Sequence, residues 1–302
     1  MAKTSPYKRL ENTWAYLFIL PPILQFLIFL VIPLAMSLWL SFHQWDMLSA
    51  PQIIGTQNYS DLLNDSKFWK SLYNTFYLMV GIPLGMVCGL ILAMLMNRPV
   101  RGIGFIRAIY YIPAICSIVA AAQMWMWIFN ADHGLINNML WSCFRIQGPY
   151  WFGDANFTKI PMIIMGIWGG MGTQMLFYLA GLQNIPSSLY ESAAMDGANW
   201  WQKFRYITLP KLTPTTFFIL VTGIIGSLQG MAQSYIMTTN VGGGATGGPE
   251  YSAATIVFYL WESAIRYNQM GYASAIAWVT GILVFILTVI NFRLSDRWVN
   301  YE

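Results

Sequence analysis

The chain has 302 residues, 57% of them hydrophobic and only 9% charged, with a formal net charge of +4 and a mean hydropathy of +0.50. This excludes an ordinary water-soluble globular protein and describes a polypeptide whose solvent is mostly lipid. The positive balance reflects membrane topology and does not point to a nucleic-acid partner.

Crossing a ~30 Å hydrocarbon core takes about 20 helical residues. Apolar runs of that length occur at 14–40, 73–97, 106–130, 160–183, 215–239 and 272–292. The expected fold class is therefore all-α integral membrane, with six transmembrane helices. A single transmembrane domain is expected over 14–293, flanked by basic tail 1–13 and second tail 294–302. The first run follows basic residues, as in a signal peptide. It extends past the usual apolar length, however, and lacks a small-residue cleavage site before Trp45, so it is expected to be a retained anchor.

Between the first two runs, 41–72 contains the turn-rich "LSAPQIIGTQNYSDLLNDSKFW", in which a short interfacial helix is expected around Tyr59 to Asn64. The connection "NRPVRGIGFIR" at 97–107 carries three arginines, one proline and two glycines. Such a tight basic turn suits contact with lipid headgroups or another subunit. Segment 131–159 holds Trp141, Phe144, Tyr150, Trp151, Phe152 and Phe157, which suit anchoring at a membrane–water interface, a sugar-facing role being the alternative. Segment 240–271 begins "NVGGGATGGPE" and continues into "YSAATIVFYLWESAI". Glu262 and Arg266 make that continuation too charged for a seventh span, so it is expected to be a shallow or re-entrant outer helix.

With the amino terminus placed in the cytoplasm, the inner segments hold 11 of the 16 Lys and Arg residues and the outer ones 5. The positive-inside bias then puts both termini in the cytoplasm, consistent with an even number of crossings.

Several chemistries are missing. No Asp, Glu, Lys or His falls within the apolar runs, and the single arginine, Arg107, stands at the inner edge of the third. An ionisable group at the bilayer centre costs roughly 2.5–3.5 kcal/mol on insertion scales and is kept for proton relays, ion coupling or catalysis. A secondary carrier or membrane enzyme would need such groups. His43 and His133 are too few and too far apart for a metal site, and Cys88, Cys116 and Cys143 offer no disulfide or metal spacing. The "GGGATGGP" run lacks the Lys and Ser/Thr of a phosphate loop. No catalytic, metal or cofactor site is therefore expected, and ATP-dependent work would need another polypeptide. What remains is uncharged polarity: Gln123, Trp127, Asn130, Gln174, Gln229, Met231, Gln233 and Tyr235 lie in or at the ends of the third to fifth runs. Amides both donate and accept hydrogen bonds and aromatic faces pack sugar rings, so these residues could line a pathway for a neutral polyhydroxylated substrate. The alternative is structural glue between helices, at ~0.6 kcal/mol per hydrogen bond.

The polar segment 186–214 has the pattern of a helix–turn–helix. Ser188 with Glu191 has the form of a capping box, and Gly197 that of a left-handed helix end. Asn199 with Gln202 marks a second start, giving a short helix with Trp200, Trp201 and Phe204 that is expected to end before Pro210. Small side chains on the first helix let a partner approach its backbone.

Glu191, Ser192, Ala193, Gly197, Ile207, Leu209 and Pro210 resemble the EAA signature, E-A-A-x3-G-x9-I-x-L-P, of the membrane subunits of ATP-binding-cassette importers, with Ser192 replacing the first alanine. "SLQGMAQSYIMTTN...GGP" and the ending "GYASAIAWVTGILVFILTVINFRLSDRWVNYE" extend the likeness to the carbohydrate-uptake branch, of the maltose and glycerol-phosphate permease type. The resemblance implies a type I importer permease fold in a bacterial-type inner membrane. It implies a coupling helix at 188–197 docked on an ATPase subunit, with Glu191 in contact. The implied partners are a second homologous permease, two ATPase subunits holding ATP and magnesium, and an extracytoplasmic solute-binding protein. The implied cargo is a sugar or oligosaccharide; glycerol phosphate, another polyol derivative, or a secondary carrier are the alternatives.

Overall fold

A computed structural model describes residues 6–239 and 246–299. The first part of the basic tail, the glycine run at 240–245 and the last three residues lie outside the described residues. The helices are α1 (Pro6–Phe26), α2 (Ile32–Leu40), α3 (Gln57–Asn64), α4 (Ser66–Leu78), α5 (Gly81–Met96), α6 (Ile103–Ile115), α7 (Ile118–Ile128), α8 (Leu135–Phe144), α9 (Lys159–Gln183), α10 (Ser187–Met195), α11 (Trp200–Lys203), α12 (Leu209–Lys211), α13 (Thr213–Leu228), α14 (Ala232–Thr239), α15 (Ile256–Trp261) and α16 (Met270–Ser295). A two-stranded antiparallel sheet pairs β1 (His43–Gln44) with β2 (Gln52–Ile53). Among the described residues, four continuous helical stretches are long and apolar enough to cross a membrane: 11–40, 66–96, 159–183 and 270–295.

The third and fifth runs depart from the expected straight spans. α6 and α7 meet at a 94° bend at Cys116–Ser117. In the fifth run, helix stops at Leu228 and resumes at Ala232. Gly230 in this gap lacks a side chain and weakens any helix through it. A second bend, of 58°, separates the helical stretch 200–211 from α13; counting it with α13, and α6 with α7, as one span each gives up to six among the described residues. The expected helix near Tyr59 is α3. The charged stretch near Glu262 is α15 followed by a π-helical turn, Glu262–Arg266, too short to cross a bilayer.

Two further π-helical turns have one cause. Leu27–Val31 precedes Pro33 and Phe204–Thr208 precedes Pro210, each ending two residues before the proline. A proline ring inside a helix clashes with the carbonyl four residues back. In each case a wider turn intervenes: Ile32 N–H bonds Leu27 O, and Leu209 N–H bonds Phe204 O. The second helix of the polar segment thus runs through Pro210 to Lys211 instead of ending before it.

The chain divides into two units, one comprising the chain up to Asn64 with Leu260–Trp278, the other Asp65–Tyr259 with the residues from Val279 on. In the first, buried Asn58 donates to the carbonyls of Ser41 (2.8 Å) and His43 (3.0 Å), and Tyr59 OH pairs with Ser41 Oγ at 2.7 Å. The Trp278 indole donates to Ser37 Oγ at 3.2 Å. Asp46 accepts from the N–H groups of Leu48 and Ser49 and from the Ser49 hydroxyl, and these bonds, chiefly those from Ser49, pull its pKa down to about 2. The apolar window of the 11–40 helix is 0% buried, as befits a span whose solvent is lipid.

In the second unit α5 lies against α9, α6 packs on α9, and α13 packs on both α5 and α9. Lipid tails are as apolar as leucine, so close van der Waals approach drives the association of such helices. Gly81, Gly85, Gly89 and Ala93 form a small-residue stripe along α5. A Cβ on Gly89 would stand 2.7 Å from the Gln174 Cβ, so only glycine permits this approach. Met86, Met175, Tyr178, Leu179, Leu212 and Ile219 form the adjoining buried cluster. Gly89→Val should destabilise the purified chain by about 1–3 kcal/mol, the usual cost of overpacking, whereas Gly281→Ala, which meets open space, should not destabilise it. Thermal denaturation of both variants in the same detergent checks this.

Candidate functional site

Two constructions in the second unit combine chemistry with defined geometry. The first is the polar segment α10–α12. Pro186, with φ −59° and ψ 132°, is the residue before α10, so the helix begins at Ser187 and no side chain caps it. The expected Ser188–Glu191 capping box does not form: Ser188 is the second helical residue and Glu191 the fifth, outside capping range. The far end is as expected. Gly197 has φ +77°, Ala198 N–H reaches Ala193 O at 2.8 Å and Gly197 N–H reaches Ala194 O at 3.1 Å, the paired bonds of a Schellman end. Asn199 and Gln202 then form a complete capping box: Asn199 accepts from Gln202 N–H at 2.9 Å, and Gln202 Oε1 accepts from Asn199 N–H at 2.7 Å.

Tyr190 OH and buried Thr208 Oγ1, 2.9 Å apart, pin α10 to the π-helical turn. Leu212, fully buried beside Met175 and Leu179, fastens the end of the segment into the helical core. Its outer surface is open. Glu191, Ser192 and Gly197 are exposed, Ala193, Ile207, Leu209 and Pro210 half-buried, and Met195, Trp200 and Trp201 are 84%, 66% and 60% exposed. The arrangement is a polar–aromatic knuckle joined to the helical core through Leu212.

The second construction is a cavity of about 280 Å³ between α4/α5, α9 and the break joining α13 to α14. Its polar lining comes from Gln174, Ser227, Gln233, Ser234 and Thr255, and its apolar lining includes Leu78, Ile82, Met162 and Ile163. At the break Thr255 donates to Gly230 O at 2.8 Å, and Ser234 of α14 donates to Ala253 O, two residues before Thr255. Gln233 Nε2 donates to Met162 O at 2.6 Å, leaving its amide oxygen as an acceptor. Gln174 Oε1 is buried without a hydrogen-bond partner. A buried acceptor left unmade costs about 1–3 kcal/mol, which a ligand hydroxyl or a water would relieve.

Of the eight residues proposed from sequence for a pathway, the cavity gathers Gln174 and Gln233 only. Gln229 is exposed at the end of α13, Met231 and Tyr235 are half-buried on other surfaces, and Gln123 and Trp127 are exposed on α7. Asn130 serves the backbone instead, accepting from the N–H groups of Asp132 and His133 at 3.0 Å each. Ser227, Ser234 and Thr255 were missed. The signal of Ser227 and Ser234, small hydroxyls flanking Gly230 in a long apolar run, is weak because hydroxyls in such runs commonly bond their own helix, and Thr255 lies outside the apolar runs.

This assembly, apolar spans, one of them broken beside a cavity, and a polar knuckle, defines a multi-pass membrane permease. The chain belongs to the binding-protein-dependent transport system inner membrane component family, whose model matches residues 81–300. It is 41% identical over 303 residues, covering 99% of this chain and 96% of the relative, to the probable ABC transporter permease protein YesP of Bacillus subtilis. It is 34% identical, covering 97% and 98%, to the lactose transport system permease protein LacF of Rhizobium radiobacter. A solved bacterial ABC transporter involved in import of the acidic polysaccharide alginate has the same fold, with a TM-score of 0.81 at 24% identity, covering 96% of this chain and 98% of that one. The type I importer permease architecture follows, and the chain is an ABC transporter permease.

Gln174→Leu should leave the thermal stability of the chain unchanged or raised, since it removes an unmet acceptor, while transport KM rises about five- to tenfold, the value of one or two hydrogen bonds. Gln229→Ala should change neither. Reconstituted transport assays beside melting curves read both.

Proposed function

We propose that this chain is one of two homologous permease subunits of an importer that carries a neutral sugar or oligosaccharide into the cytoplasm. The observation that carries the cargo reading is the cavity lining: amides, hydroxyls and apolar side chains, with no charged side chain among the described residues. An anion such as glycerol phosphate would need compensating positive charge, which that lining lacks. Hydroxyl groups of a sugar would donate to the amide oxygens of Gln174 and Gln233, and the apolar walls would take its C–H faces. Relatives named for lactose and for trehalose/maltose, the latter from Thermococcus litoralis at 31% identity, favour the same class.

In this reading α10 is the coupling helix, docked on an ATPase subunit through Glu191, Ser192, Ala193 and Gly197, with Ile207, Leu209 and Pro210 forming its support. ATP and magnesium belong to two separate ATPase subunits, and this chain binds no cofactor. The family's description as binding-protein-dependent, and the solved alginate transporter in complex with an alginate pentasaccharide-bound periplasmic protein, support a solute-binding partner on the outer face. Both termini and the α10–α12 knuckle would lie in the cytoplasm, as the distribution of basic residues supports. Closure of the ATPase subunits would push α10. The Tyr190–Thr208 bond and buried Leu212 would carry that displacement into the α9–α13 core, where the cavity lies.

Gly197→Pro or Glu191→Lys should leave membrane insertion intact and separate ATP hydrolysis from uptake. Reconstituted transporter with normal coupled transport in both variants would refute the coupling assignment. A cysteine replacing Trp200, in a background with Cys88, Cys116 and Cys143 replaced by serine, should react with a membrane-impermeant maleimide only from the cytoplasmic side; labelling of intact cells from outside would overturn the orientation.

A further inference from the structure

A second concavity, of about 740 Å³, lies in the connection between α7 and α9, formed around α8 and the segment that follows it. Its walls carry Trp141 and Tyr150 together with Asp132, Asn138 and Gln147. The concavity is built on a buried polar knot. Asn137, only 9% exposed, donates to Ala131 O at 2.9 Å and to Pro149 O at 3.3 Å, and accepts from the Trp151 indole at 2.7 Å. One amide therefore ties the start of the connection to its end. Phe129, Trp151 and Phe157 stack edge to face beneath it at 5.0 and 6.0 Å. The shape is fixed before any ligand arrives.

The groups above this floor are tied more loosely: Asn138 Nδ2 donates to His133 O at 3.4 Å, and the Arg145 guanidinium lies 5.7 Å from the centre of the Trp141 ring. Trp141 is 53% and Tyr150 60% exposed. Simple interfacial anchoring would not call for a concave wall holding a carboxylate and two amides beside the aromatic rings. Aromatic faces pack the C–H faces of pyranose or furanose rings, while a carboxylate and amides take vicinal hydroxyls. That combination is the chemistry of saccharide recognition.

We propose that this groove is a saccharide-binding subsite at the extracytoplasmic mouth of the permease, separate from the cavity beside Gln174, with Trp141 and Tyr150 as ring platforms and Asp132, Asn138 and Gln147 as hydroxyl partners. It rests on the sugar-permease reading and adds to it: an oligosaccharide long enough to reach beyond the membrane would be held at its trailing end.

The test uses the full chain in lipid nanodiscs, labelled with 5-fluorotryptophan, the Trp141 resonance being assigned by Trp141→Phe. Lactose, trehalose, maltotetraose and arabinotetraose serve as probes. At least one should shift the Trp141 fluorine resonance saturably, and Asp132→Asn with Tyr150→Ala should weaken that response about tenfold or more, the value of one or two lost contacts. No shift of that resonance by any of these probes overturns the subsite. A shift produced equally by sugar-free solute-binding protein, and not by saccharide, also overturns it and assigns the groove to a protein contact. The parent reading fails separately, if none of the four sugars is transported by the reconstituted assembly.

Discussion

The backbone approach of α5 to α9 is the constraint on which the rest of the second unit depends. In lipid no solvent drives apolar helices together, so the interface must be made by close contact, and the small-residue stripe Gly81, Gly85, Gly89, Ala93 provides it. Gln174 sits directly over Gly85 and Gly89. The same glycines that let the helices touch therefore hold a polar amide in a buried place, with its oxygen unmet. Structure and the capacity to bind hydroxyls are two consequences of one contact.

The broken fifth span is the second half of that arrangement. Backbone carbonyls freed within a membrane-depth segment must be satisfied; at the α13–α14 break Thr255 does this for Gly230 O, and Ser234, by donating to Ala253 O, ties α14 to the segment that carries Thr255. Irregular backbone is tolerated there because it lines a polar cavity and not lipid. On the opposite end of α13, buried Leu212 joins the α10–α12 knuckle to the core next to Met175, the neighbour of Gln174 in sequence. A displacement of the knuckle thus has a short packed route to the cavity.

The local chemistry of the knuckle was readable in part. Gly197 and the Asn199–Gln202 pair act within four residues of chain, where sequence and geometry are nearly the same thing. Ser188 failed as a cap because Pro186, with its fixed φ, took the capping position two residues earlier. Pro210 failed as a stop because a π-helical turn makes room for its ring, an accommodation seen also before Pro33. A proline rule applied alone could not anticipate the wider turn, which depends on residues already held in helix on both sides.

By itself the sequence determined the membrane class, the approximate positions of the apolar stretches, the uneven placement of positive charge and the spaced signature from Glu191 to Pro210. These follow from composition, period and short-range capping, which need no knowledge of distant neighbours. Only the tertiary structure decided which amides meet, separating Gln174 and Gln233 from Gln229, Gln123 and Asn130. It also revealed Thr255 and Ser234 at the break and raised the aromatic connection around Trp141 into a shaped groove. Those outcomes depend on which helix faces approach each other, and that is fixed by side-chain volume across residues far apart in the chain.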